Sequence, residues 1–251
     1  MRAWWSLYKK EFANNLFIMS VIILLTLAWQ IFLFFRIDIY GLSFGLSFLP
    51  IAFYPLIVLY MGYNGFKQEW KDDTNYFILS LPRYGWQISL AKLASVMSFF
   101  IVVSVVSLFL TYILQYRFIN PEILIPEISQ IRDILIKSVI QLFIGYLFIG
   151  LGIYILAQFS QIISLFYNRL RGLITVIVFI LSHYLIFRGA TLLAPLLGWL
   201  PDIPIETFNY NNGLLNTFVI YIGSGPFVGL LIMLIALFLL ASWILESQLE
   251  V

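Results

Sequence analysis

The chain has 251 residues, 62% of them hydrophobic and 10% charged, with a net charge of +2. A soluble domain carries about 25% charged residues, so these charges are too few to build a water-facing surface, and most of the protein must face lipid. The absence of cysteine excludes disulfides and thiol chemistry, a single histidine leaves little for a metal site, and basic residues scattered between apolar blocks argue against nucleic-acid binding.

The expectation is one transmembrane domain over residues 1–251, with no soluble domain attached and no cleavable signal peptide, because the first apolar run is long enough to span. Residues Met1–Asn15 come first. Trp5, Tyr8 and Phe12 recur at helical spacing, with Lys9, Lys10 and Glu11 on the other side. This predicts an amphipathic helix lying in the headgroup region, with Trp4, Trp5, Tyr8, Lys9, Lys10 and Phe12 as its interfacial anchors against membrane lipid. Leu16–Phe35 is an uninterrupted apolar run that can cross a ~30 Å core. A short turn over Arg36–Gly45 precedes the second span, Leu46–Phe66, whose Pro50 and Pro55 can kink it where neighbours satisfy the freed carbonyls. Spans one and two thus occupy residues 16–66.

Lys67–Lys92 is the longest polar interval. Asp72, Asp73 and Thr74 are good N-caps for a short helix carrying Tyr76, Phe77, Leu79 and Leu81, and Pro82 breaks it. A second amphipathic piece leads from Tyr84 to Lys92. The helix–break–helix unit has the form of something gripped from outside the membrane. Leu93–Tyr116 is the third span, with Ser95, Ser98, Ser104, Ser107 and Thr111 marking close helix packing. Arg117–Lys137, holding Pro121 and Pro126, reads as a loop with a short surface helix over Ile128–Ile136. Ser138–Phe159 is the fourth span, Ser160–Arg171 a polar turn, and Gly172–Phe187 the fifth span. In Arg188–Gly225, the apolar stretches Ala190–Leu200 and Leu214–Ile222 are too short to cross and read as re-entrant or interfacial pieces. Pro226–Ile244 is the last span. The fold expected is an all-α integral membrane protein with six transmembrane helices, an N-terminal interfacial helix and short re-entrant or interfacial helices between spans five and six.

Orientation follows from the basic residues. With a cytoplasmic N-terminus the inner side holds nine (Arg2, Lys9, Lys10, Lys67, Lys71, Arg83, Lys92, Arg169, Arg171) and the outer side five (Arg36, Arg117, Arg132, Lys137, Arg188). That is a positive-inside bias, and it places both termini and the Lys67–Lys92 unit in the cytoplasm.

No phosphate-cradling G-x-x-x-x-G-K-[ST], no G-x-S-x-G and no H-E-x-x-H occurs. His183 stands in the fifth span, where the nearest charge in sequence is Arg188, and Gln30, Gln141 and Gln158 lie near span ends. A histidine in that setting bonds a neighbouring helix more often than it moves protons. An intramembrane enzyme is therefore disfavoured, and energy supplied by a partner is expected.

Glu69, Thr74, the run Leu79-Ser80-Leu81-Pro82 and Lys92 resemble, in spacing, the permease subunits of the ABC type 2 exporter family, and the layout of the whole chain is similar to theirs. Asp73 stands where that family commonly has glycine. The resemblance implies a coupling helix around Asp73–Leu81 that docks in a groove on a separate ATPase. Glu69, Asp72, Asp73, Thr74, Tyr76, Phe77, Leu79, Leu81, Pro82 and Arg83 are its docking residues, with Tyr76, Phe77 and Leu79 as apolar anchors inside a charged rim. It also implies two cytoplasmic ATPase subunits per transporter, a second permease chain (identical or paralogous), and no cofactor in this chain, with ATP and magnesium bound by the partner. The protein would then be a non-catalytic subunit moving an amphipathic, lipid-linked, peptide or antibiotic-like substrate, since its path shows no intramembrane charge. The reading from another class is a non-transporting membrane sensor or scaffold whose polar unit recruits a cytoplasmic regulator.

Overall fold

The computed structural model describes residues 2–36, 40–71, 84–115, 121–167, 169–211 and 214–247. The elements in chain order are α1 (Arg2–Arg36), α2 (Tyr40–Ser47), α3 (Leu49–Lys71), α4 (Gly85–Gln115), α5 (Pro121–Ser164), α6 (Arg171–Leu193), a 3₁₀ turn (Pro195–Leu197), β1 (Ile203–Asn211), β2 (Leu214–Ile222) and α7 (Gly225–Ser247). Among the described residues, six helices are long and apolar enough to cross a membrane. The architecture is that of a multi-pass membrane protein.

Three expectations change. The first fifteen residues form no separate interfacial helix, because α1 runs unbroken from Arg2 to Arg36. At 1.5 Å per residue it is about 52 Å long, so its first turns continue the axis of the span and do not lie across it. Before the fourth span, the short helix expected over Ile128–Ile136 is part of a longer one, and the rest of the expected loop from Pro121 onward is helical too. Pro121 takes the first position of α5, where a missing N–H is no loss, and the helix continues to Ser164. Finally, no re-entrant or interfacial helix covers Leu214–Ile222: that stretch is a strand paired antiparallel with Ile203–Asn211, in the register Ile203↔Ile222 to Asn211↔Leu214. Ala190–Leu200 splits between the end of α6 and the 3₁₀ turn, so the fifth helix passes through Arg188 to Leu193. The apolar residues of β2 are mostly β-branched or aromatic, which suits a pleated ribbon.

The chain forms two compact units. The first comprises residues 1–118, 149–182 and 237–251. Its helices α1 and α4 are parallel and in register. Glu11 meets Lys92, Asn15 meets Ser95 and Gln30 meets Thr111, at sequence offsets of 81, 80 and 81. Each helix carries polar residues on the shared face, in two groups at three- or four-residue spacing: Tyr8, Glu11 and Asn15, then Thr26 and Gln30 on α1; Lys92 and Ser95, then Ser107 and Thr111 on α4. In lipid such groups find their partners in each other. The serines and threonine picked out in the third span serve that packing: Ser95, Ser104, Ser107 and Thr111 are buried. Tyr54 of α3 bridges the seam, with its Oη 2.8 Å from Thr26 Oγ1 and bonded also to Ser107 Oγ. Thr26 and Ser107 both donate to the carbonyls four residues back, so each accepts from Tyr54 and its one proton serves them in turn.

Pro50 explains the break at Phe48 between α2 and α3. Its ring nitrogen cannot donate to the Leu46 carbonyl, and Trp29 Nε1 takes that acceptor at 3.0 Å. The next carbonyl, Ser47, receives Gln30 Nε2 at 3.0 Å. Helix α1 thus supplies the donor the proline lacks and a second buried donor at the next carbonyl. Gln30→Leu is expected to lower stability by about 1–3 kcal/mol, measured as thermal unfolding in detergent, because the Ser47 carbonyl and the Thr111 hydroxyl lose a buried donor together.

The second unit comprises residues 119–148 and 183–236. Helix α5 holds the hairpin through three side chains. Lys137 Nζ lies 2.6 Å from Glu206 Oε1, Ser138 Oγ donates to the Glu206 carbonyl at 3.3 Å, and Gln141 Nε2 donates to the Pro204 carbonyl at 2.9 Å. The last two bonds satisfy the outer edge of β1. At the base of this unit Gly225 and Gly229, four residues apart on α7, approach the Ala194 and Ala190 carbonyls closely: an added Cβ would stand 2.8 and 3.0 Å away.

Candidate functional site

Buried charge in the first unit marks the site. Lys92 belongs to the inward stripe of α4, between Ile88 and Ser89 on one side and Ser95 and Val96 on the other, all buried. Its Nζ lies 3.1 Å from Glu11 Oε1, the two side chains being 4% and 13% exposed. The ammonium also stands over the Phe66 ring, 5.3 Å from its centroid. Taking both ions out of water is costly, and only their mutual attraction and further polar contacts offset it. Glu11 and Lys92 stand just before the apolar runs Leu16–Phe35 and Leu93–Tyr116, in helices long and apolar enough to span.

Beside the pair lies a cavity of about 250 Å³. Helices α1, α3 and α4 line it with Lys10, Asn14, Asn15, Tyr60, Asn64, Gln68 and Lys92, and α5 contributes Tyr154. Asn15 is held by its bond to Ser95 at 3.0 Å. One turn along from Tyr154, Gln158 is fully buried, and neither amide atom has a partner. An added Cβ at Gly62 would meet Ala157 Cβ at 2.9 Å, so α3 and α5 are tightly apposed beside Tyr154. The inner part of this unit is therefore polar inside and apolar outside.

Beneath the cavity, Phe66 (α3), Ile88 (α4), Phe159 and Ile162 (α5), and Ala241 and Leu245 (α7) form one buried cluster. Gly85 opens α4 against α7, where an added Cβ would stand 2.5 Å from the Ser242 carbonyl oxygen.

The predicted anchors all lie on α1. Trp4, Trp5, Tyr8 and Phe12 make a ladder of rings, with Trp5–Tyr8 stacked at 5.0 Å and Tyr8–Phe12 at 5.9 Å, and Lys9 Nζ stands 5.6 Å from the Trp5 centroid. Tyr8 also donates to Ser98 at 3.0 Å, so this ladder is partly committed to α4. Lys10 faces the cavity. Glu69 falls in the last turn of α3, its side chain outside the described residues, as are Asp72, Asp73, Thr74, Tyr76, Phe77, Leu79, Leu81, Pro82 and Arg83. His183 is exposed and packs on Phe187 at 4.7 Å. Neither a family model, nor a curated protein, nor a solved structure matches the chain.

Any functional reading therefore rests on the chain's own chemistry. Sequence reasoning does not mark Glu11 or the four amides of the cavity as site residues. The signal is present: Tyr8, Glu11 and Asn15 are spaced to share a helix face, and Lys92 stands 81 residues beyond Glu11 as Thr111 does beyond Gln30.

Proposed function

We propose that this chain is the permease subunit of an ATP-driven type 2 exporter, with the coupling segment around Asp73–Leu81 docking a separate cytoplasmic ATPase and both termini on the same side. The observation that carries the reading is how that segment is rooted. Helix α3 enters it at Lys71 and α4 leaves it at Gly85. Phe66 and Ile88, one turn from either root, sit in the same buried cluster. Well-packed cores transmit displacement instead of absorbing it. A push on the segment is therefore delivered to α3 and α4 together, and so to the walls of the cavity and the Glu11–Lys92 pair. A second permease chain completes the path, and the cargo is amphipathic.

Phe77→Asp with Leu79→Asp removes the apolar anchors from the segment and leaves all six spans unaltered. The expected result is loss of a co-expressed ATPase from the purified complex, with membrane insertion unchanged. Retained ATPase would count against docking at this segment. Capture of a kinase or other regulator by the wild-type segment would favour the sensor reading.

A further inference from the structure

We infer that the cavity beside the Glu11–Lys92 pair is a binding site for a phosphate ester, the headgroup of a membrane amphiphile or its soluble counterpart. The charges decide the sign of the ligand. Glu11 is already met by Lys92 at 3.1 Å, whereas Lys10 has no described partner, so the lining carries one uncompensated positive charge. An organic cation would meet Lys10 unopposed.

The donors decide the ligand's chemistry. Asn14, Asn64 and Gln68 make no side-chain hydrogen bond among the described residues. Each carboxamide brings two N–H groups, and Lys10 brings three. A tetrahedral anion with several outward oxygens uses such a convergent set, and bonds of this kind to an ionised acceptor are about twice as strong as neutral ones.

Size decides how much of the ligand enters. Cavities that hold a whole drug-sized molecule run from about 300 to 1,000 Å³, and this one is about 250 Å³. A headgroup fits and acyl chains do not. Tyr60, which lines the mouth, is 58% exposed, and Leu56 one turn before it is 59% exposed, so an apolar track for the chains begins at the cavity. The assignment is independent of the transport reading, since it holds whether the amphiphile is cargo or a resident lipid.

The test uses the full chain purified in detergent, with native mass spectrometry reading retention of phosphatidylglycerol against diacylglycerol bearing the same tails. Glycerol 3-phosphate serves as the soluble probe. Wild type should retain the phospholipid and not the diacylglycerol. Lys10→Gln and Asn64→Leu should each weaken retention about tenfold, while Lys9→Gln, outside the cavity, should leave it unchanged. Lys10 is exposed, so its variant folds even if the Asn64 variant does not. Displacement by glycerol 3-phosphate, with the same dependence on Lys10, would assign the site to a free phosphate ester. Binding of the lipid alone would assign it to a headgroup that needs its tails. Equal retention of both lipids, or equal effects of the Lys9 and Lys10 variants, would overturn the inference.

Discussion

Glu11→Ala is expected to lower the unfolding free energy by about 3–5 kcal/mol. The loss has two parts. The attraction to Lys92 disappears, and the ammonium, 4% exposed, is left without its carboxylate in a low-dielectric setting where the charge remains expensive. The cavity moderates this by admitting polar groups, which puts the expected value towards the lower end of the range. Thermal unfolding in detergent measures it. The double variant Glu11→Leu, Lys92→Met should recover most of the loss, because an apolar pair of similar volume removes the buried charge and preserves packing on Phe66. A loss below about 1 kcal/mol for Glu11→Ala is what an exposed pair gives. That outcome would mean the first turns of α1 lie away from α4, as an interfacial helix would.

The same pair shows why some of this molecule is legible in its sequence and some is not. Six apolar runs are readable because lipid demands them: hydrophobicity unbroken over about 20 residues is the length a bilayer core requires of a helix. The seam between α1 and α4 is harder to see. Glu11 sits beside Lys9 and Lys10 in the chain, and three neighbouring charges look like a headgroup flank. Only the rotation of the helix separates them, Lys9 towards Trp5 and Glu11 towards Lys92. Lys92 likewise counts among the exposed cations in a tally of charge, although Ser89, Ser95 and Val96 around it are buried. Pro121 and Pro126 suggest a loop, but Pro121 stands at the first helical position, where a proline starts a helix as readily as it ends one. For Leu214–Ile222, length suggests a helix too short to cross, yet nine residues is ample for a strand. The clue is Asn212-Gly213 immediately before it, the pair that two-residue hairpin loops favour. The amides of the cavity could not be found from spacing alone, since Asn14, Asn64 and Gln68 converge only when α1 and α3 are placed side by side.

Gly85→Ala is expected to destabilise, and Gly145→Ala to stabilise, although both exchange the same atoms in a helix. Propensity alone favours alanine by roughly 0.5–1 kcal/mol in a helix interior. At Gly145 nothing lies within 4 Å of the new methyl, so that preference should appear as a modest gain. At Gly85 the methyl would stand 2.5 Å from the Ser242 carbonyl oxygen and 3.1 Å from the Glu246 amide nitrogen. Both obstacles are backbone, and a Cβ has no rotamer by which to escape them. Helix α4 must then slide on α7, at a cost of about 1–3 kcal/mol. The place matters as much as the size. Gly85 is the first residue of α4 after the proposed docking segment, and Ile88, one turn on, belongs to the buried cluster that roots it. On the function proposed above, Gly85→Ala should also weaken the dependence of the proposed partner's ATP hydrolysis on this chain, measured in nanodiscs, under conditions where the variant is still folded and still holds that ATPase. A folded, ATPase-bound variant with full stimulation would show that the segment does not act through the start of α4.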